Sequence, residues 1–260
     1  NSEARTGAVA REAAALGHEL IKAASGSGLE LLGPAPAPLA SLDTLLRLME
    51  QKSIEKAFTL SARGAFYDFL EGNRETLAAC REHPQLLPVG TVNPARWLGC
   101  LDEAKRLIGE GVKLLRFFPQ YQEWHITEAP FRKLLDDVLA GSGVGLTIPS
   151  GEGISTIGEM AGRVDNPIII EGFRYDRLAE ALVVMGQRKN VCIESHLINS
   201  PNFVELLKAE GFLDRLIFGS NAPLAYIGAA VAPIEAAQVS DEEKKKIFGG
   251  NIGRILGIER

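Results

Sequence analysis

Glu194 and His196 stand two positions apart in this chain, with Ser195 between them. In an extended segment, side chains alternate, so both point to one side. A carboxylate beside an imidazole tunes it for proton transfer near neutral pH. The plainer alternative is a rim histidine with a chance acidic neighbour. Glu171 ends the apolar run Ile168–Ile170 and offers a second carboxylate. Arg116 and Arg174 could grip an anion through charge-assisted, bidentate bonds, or serve as salt-bridge partners in loops. Lys113 shares the alternation of Leu115 and Phe117, which turns it inward and gives it Glu171 or Glu194 as a partner. Asn93, Asn221 and Tyr121 add neutral polar groups, with Ser61 and His125 close to them in the pattern. The run Pro149–Gly153, "PSGEG", sets backbone amides ahead of a helix. That arrangement suits an anion, and equally a plain strand-to-helix turn.

These residues share one feature: most follow a short apolar run. Strand signals fall at Leu29–Leu32, Ile54–Leu60, Leu86–Val92, Val112–Phe118, Val144–Ile148, Ile168–Ile170, Val191–Ile193 and Leu216–Phe218. Helical patterns separate them: from Ser41 with its stripe Leu42, Leu45, Leu46 and Met49, then Asn73–Arg81, Leu98–Gly109 and Glu128–Leu139. Further ones follow at Ile154–Ala161, Tyr175–Gly186, Phe203–Glu210, Asp241–Phe248 and Asn251–Leu256. Alternating apolar strands and helices imply a parallel sheet covered on both faces. Eight such units favour a closed (β/α)8 TIM barrel over an open sheet, and no GxGxxG or P-loop supports the open one. In such a barrel the C-terminal ends of the strands form one mouth, which gathers the polar residues named above. Residues 1–28 are expected to be an N-terminal helix and a Ser-Gly hinge, with the helix across the barrel bottom. Residues 29–260 are expected to be a single barrel.

Composition narrows the function classes. The chain has 260 residues, 46% hydrophobic and 23% charged, with a net charge of -5. An acidic balance gives no footprint for nucleic acid. No apolar run reaches the roughly 20 residues that cross a bilayer, and the N-terminal stretch lacks a signal-peptide core. Three scattered cysteines, Cys80, Cys100 and Cys192, argue against a disulfide framework or a cysteine zinc site. A reducing, cytoplasmic setting is expected, with a small molecule as partner.

Several segments in order, "LLPVGTVNP", "GVKLLRFFP", "VGLTIPSG", "NPIIIEG" and "KNVCIES", precede "DRLIFGSNAPL" and "SDEEKKKIFGGNIGRILGI". This set resembles the amidohydrolase-related (amidohydrolase 2) family of metal-dependent TIM-barrel hydrolases, over nearly the whole chain from Leu29. The resemblance implies a barrel hydrolase or lyase that can self-associate. It also implies a metal held by an HxH pair, two further histidines and an aspartate. At those positions this chain has Leu29 and Leu31, Pro149, Glu171 and Asn221. Leucine and proline offer no donor, and an amide is a poor zinc ligand. A divergent, metal-free member without a cofactor is therefore expected.

The family includes metal-independent lactonases in which a strand-eight aspartate activates water and arginines hold carboxylates. Asn221 replaces that aspartate, so the resemblance would pass the role of base to Glu171 or Glu194. Arg116, Arg174 and Lys113 would then bind substrate and stabilise an oxyanion. Two other readings stay open: a non-catalytic barrel that binds a ligand or regulates, and a metal hydrolase with relocated ligands.

Overall fold

The computed structural model describes residues 41–198, 200, 202–220, 222 and 226–258. Seven strands form one parallel sheet in sequence order: β1 Ala57–Thr59, β2 Leu86–Gly90, β3 Leu114–Arg116, β4 Gly145–Pro149, β5 Ile168–Glu171, β6 Val191–Glu194 and β7 Leu216–Ile217. Helical segments connect them, and the curled sheet is that of an α/β TIM barrel. The strands match seven of the eight expected runs, with shorter bounds at β1, β2, β3 and β7. The run Leu29–Leu32, the N-terminal helix and the expected division at residue 28 lie outside the described residues.

Why these runs become strands follows from the two clusters they fill. Leu115, Leu146, Ile148, Ile168, Ile170, Val191, Ile193 and Leu216 face the helices, among Leu107, Leu134, Ile157, Val184 and Leu207. The alternating set, Phe58, Val89, Leu114, Ile169, Cys192 and Ile217, forms a second cluster inside the barrel. Burial on both faces explains the nearly unbroken apolar strands. The longest helix that escaped the sequence reading is Ile227–Ala236, the others being the short Ala62–Phe66 and Pro119–Gln122. It is almost uniformly apolar and carries Pro233 in its interior, so no polar stripe marks its period. No helix among the described residues is long and apolar enough to cross a membrane.

The lower end of the barrel, where the strands begin, is closed by the C-terminal helix Asn251–Leu256. Ile252 and Leu256 join the interior cluster. A Cβ on Gly145 would fall 2.6 Å from Leu256 Cδ2, so a larger residue there would require the Leu256 side chain to shift. Around that end, amide side chains tie loops to strand starts. Asn166 Nδ2 donates to the carbonyls of Leu139 and Val144, each at 2.9 Å. Asn251 Nδ2 donates to those of Leu213 (2.9 Å) and Leu216 (2.8 Å). Arg215 Nη1 reaches the carbonyls of Met185 and Arg188, each at 2.8 Å.

Candidate functional site

The interior alternation that places Leu114 inside places Arg116 inside as well, at the upper end of β3. By the same rule Thr147 of β4, Glu171 of β5 and Glu194 of β6 turn inward. Arg116 is in register with Thr147, and Pro149 with Glu171. Glu171 and Glu194 lie one step beyond the Ile170–Ile193 pair, hence side by side. The upper interior is therefore a row of ionisable groups where the lower interior is apolar.

Two contacts organise this row. Arg116 Nε lies 3.0 Å from Glu171 Oε1 and 2.9 Å from Oε2, and both side chains are 7% exposed. The Arg116 guanidinium also lies 4.9 Å from the centroid of the Phe118 ring. Glu194, 3% exposed, accepts from the His196 backbone N–H at 2.9 Å and pairs with His196 Nδ1. The carboxylate thus fixes both the turn and the imidazole. It fits because residue 219 is glycine: a Cβ there would fall 1.3 Å from Glu194 Oε1. Gly219 N–H donates to Ser195 Oγ at 3.3 Å, which ties the two strand ends together.

The electrostatics follow from burial and sign. Burial pushes the Glu171 carboxyl above its ordinary 4.5; Arg116 opposes the rise, and the neighbouring Glu194 adds to it. Burial alone would lower His196. The charge and hydrogen bond of Glu194, with Glu171 behind it, outweigh that and raise it above its ordinary 6.5. The imidazole is therefore biased toward its protonated form, with Nδ1 held by Glu194. Cys192, two residues before Glu194 on the same face, is not a thiolate candidate: burial pushes its thiol up to about 12.

The structure thus brings together Arg116, Glu171, Glu194 and His196. It does not bring Lys113 to them. Lys113 is exposed, just ahead of β3 at the opposite end of the barrel. Its expected inward turn is corrected, because Leu115 and Phe117, whose alternation it shares, face the helices. The buried partner of Glu171 is Arg116 instead. Arg174 is 77% exposed in the loop after β5, with Asp176 at 4.0 Å. Tyr121 is 66% exposed in the short helix Pro119–Gln122 that follows β3, its ring 5.2 Å from Phe66. Asn93 is buried, but its Oδ1 accepts from Ala95 N–H at 2.9 Å and closes a local turn. Asn221 lies outside the described residues. In "PSGEG", Glu152 Oε2 accepts from Ile126 N–H at 2.9 Å, so a carboxylate already occupies that loop.

Two residues of the site went unremarked in the sequence: Thr147 and Gly219. Thr147 was detectable, as one polar residue at an inward position of the apolar run "VGLTIP". Gly219 carries no such signal, since its role is the space it leaves for Glu194.

Among the described residues a divalent cation finds a poor donor set at this mouth. Pro149 has no donor atom, and both oxygens of Glu171 face the Arg116 guanidinium. Among the described residues no group of three His, Cys, Asp or Glu side chains is arranged to hold a metal ion.

No family model and no curated protein matches the chain. Solved structures do. An uncharacterized TIM-barrel protein from Bordetella bronchiseptica matches 95% of this chain and 97% of its own, with TM-score 0.71 and 17% identity. A dihydroxybenzoic acid decarboxylase from Polaromonas, with bound manganese and the inhibitor 2-nitroresorcinol, matches 96% of each chain (TM-score 0.68, 15% identity). A probable 2-pyrone-4,6-dicarboxylic acid hydrolase from Acinetobacter baumannii, with citric acid bound, covers 95% of this chain and 97% of its own (TM-score 0.64, 16% identity). The fold is a TIM barrel.

Proposed function

We propose that this chain is an amidohydrolase-like barrel that acts on a small anionic molecule at the upper mouth, without a divalent cation. One observation carries this reading: a Glu–His pair and an Arg–Glu pair, both buried, share the end of the barrel where such folds do their chemistry. His196, held by Glu194 and biased toward imidazolium, has the protonation state of a general acid. In a hydrolysis it would give its proton to the leaving oxygen or nitrogen as water adds to the carbonyl carbon. In a decarboxylation it would protonate the carbon from which carbon dioxide departs. Arg116 supplies a fixed positive charge beside the acids, where it can stabilise developing negative charge. The decarboxylase and hydrolase that share the fold are named for carboxylic acids, which favours a carboxylate as the anion. Tyr67, Trp97, Tyr121, Tyr175 and Tyr226 are exposed on segments that follow the strands, so the approach to the mouth is partly aromatic.

A panel of lactones, esters, amides and aromatic carboxylic acids, offered to chelator-treated protein that remains folded, tests the proposal. Turnover without added metal supports it. Turnover that appears only with added divalent cation overturns it.

A second reading has its own support. The four charges of the site pair off internally, Arg116 with Glu171 and His196 with Glu194, as in a site built for stability and binding. In a non-catalytic barrel, small carboxylates would raise the thermal midpoint with no product formed.

A further inference from the structure

Thr147 is fully buried, at 0% exposure, and its Oγ1 has no hydrogen-bond partner among the described residues. Buried hydroxyls are nearly always paired, so an orphan marks a place where something else completes the bond. Its location is specific. Leu146 and Ile148 on either side face the helices, so the hydroxyl points into the barrel. Its register partner across the sheet is Arg116. Two residues farther along β4, at the same inward alternation, comes Pro149, the register partner of Glu171. The hydroxyl therefore lies directly beneath the Arg116–Glu171 pair, in the floor of the mouth.

A second orphan repeats the pattern. Thr91 is 1% exposed with Oγ1 unpaired among the described residues. It comes one residue after Gly90, whose register partner is Leu115. Carried one step past the end of β2, that register would bring Thr91 toward the level of Arg116 on the other side. Among the described residues, two unpaired hydroxyls thus stand on β4 and just past the end of β2, to either side of β3. Valine has nearly the same shape and suits a strand as well, so packing alone does not call for threonine at these places.

We infer that the Thr147 hydroxyl is a recognition group, donating to an oxygen of a small carboxylate ligand that reaches the level of the Arg116 guanidinium. This assignment rests on the function proposed above and names the residue that reads the anion. A hydroxyl has one proton to give, and a carboxylate oxygen beside a guanidinium is the acceptor that matches both. Thr91 is placed to do the same from the β2 side.

The test uses the full chain with benzoate, phthalate, malonate and citrate as probes, followed by calorimetric titration and thermal unfolding. Wild type is expected to bind at least one of them. Thr147→Val is expected to weaken that binding by about 10- to 100-fold, the usual loss of a hydrogen bond to a charged group. Its midpoint without ligand should equal or exceed the wild type, since an unpaired buried hydroxyl has been removed. Thr147→Ser, which keeps the hydroxyl, should bind within a few-fold of wild type. If wild type binds a probe and Thr147→Val binds it equally well, the recognition role is wrong, and a structural water is the partner. If Thr147→Val instead unfolds earlier than wild type without ligand, the hydroxyl is structural and the inference falls. If wild type binds no probe at all, the carboxylate-directed function fails first and takes this assignment with it.

Discussion

At the lower end of the barrel Asn166, Asn190, Arg215 and Asn251 turn their donors onto backbone carbonyls. At the upper end Arg116, Glu171, Glu194 and His196 turn charges onto one another. The lower contacts join neutral carbonyls to side chains whose state does not change with ordinary pH, and they hold loops to strand starts. The upper contacts depend on protonation, and two of their members are shifted upward from their ordinary values. Stability alone does not call for the upper arrangement, since a buried ion pair can be matched by well-packed apolar residues. The lower end is built to hold; the upper end is built to respond.

The strongest way to break this contrast is to remove the proton donor. His196→Gln should lower turnover of any substrate found by about 100- to 10,000-fold. The protein should stay folded, because Glu194 keeps its bond from the backbone N–H of residue 196. Steady-state rates beside a thermal melt decide it. Unchanged turnover would move the chemistry away from this pair.

Next in size is the ion pair. Arg116→Leu strands a buried carboxylate and should cost about 3–5 kcal/mol in chemical denaturation. Adding Glu171→Leu to the same chain should restore most of that loss. A single variant as stable as wild type would mean that Glu171 is neutral in the folded protein and needs no partner.

How much of this was legible in the sequence differs between the ends as well. The strands were legible because burial on both faces leaves nearly unbroken apolar runs, and seven of them fall where the runs lie. The shared position of Arg116, Glu171, Glu194 and His196 at one end of the barrel was legible because each follows or ends such a run. Lys113 misled because alternation gives parity without telling which face is inside. That became visible only when Leu115 and Phe117 were seen against the helices. Arg174 and Tyr121 were left unoriented for another reason: residues past a strand end carry no alternation, and both are exposed. Gly219 was invisible, since a space is not a residue type. The stapling role of Asn251 sat within a stretch read for its helix, where nothing in the pattern shows an amide reaching back to β7.

Asn251 offers the matching test at the lower end. Asn251→Ala leaves the carbonyls of Leu213 and Leu216 without their donor, which should cost about 1–3 kcal/mol. Turnover and ligand affinity at normal temperature should not change. A loss of activity larger than the loss of folded protein would show that the two ends are coupled.

The smallest effect expected is in the pH dependence of stability, and its sign separates the two ends. His196 binds its proton more tightly folded than unfolded. Its contribution is fully present below the unfolded value near 6.5 and is lost as pH rises through the raised folded value. Glu171 is raised too, so its share runs in the same direction, starting from its ordinary 4.5. At the surface Glu243 is lowered to about 2, chiefly by its hydrogen bond from Lys208; its contribution is present above 4.5 and lost only as pH falls toward 2. Between about pH 5 and pH 8 the upper site should therefore make the melting temperature drift downward as pH increases. His196→Gln should flatten the part of that slope above 6.5, while Asn251→Ala should shift the whole curve without changing its shape. A slope that survives His196→Gln intact would assign the titration to other groups and remove the protonation argument for the upper site.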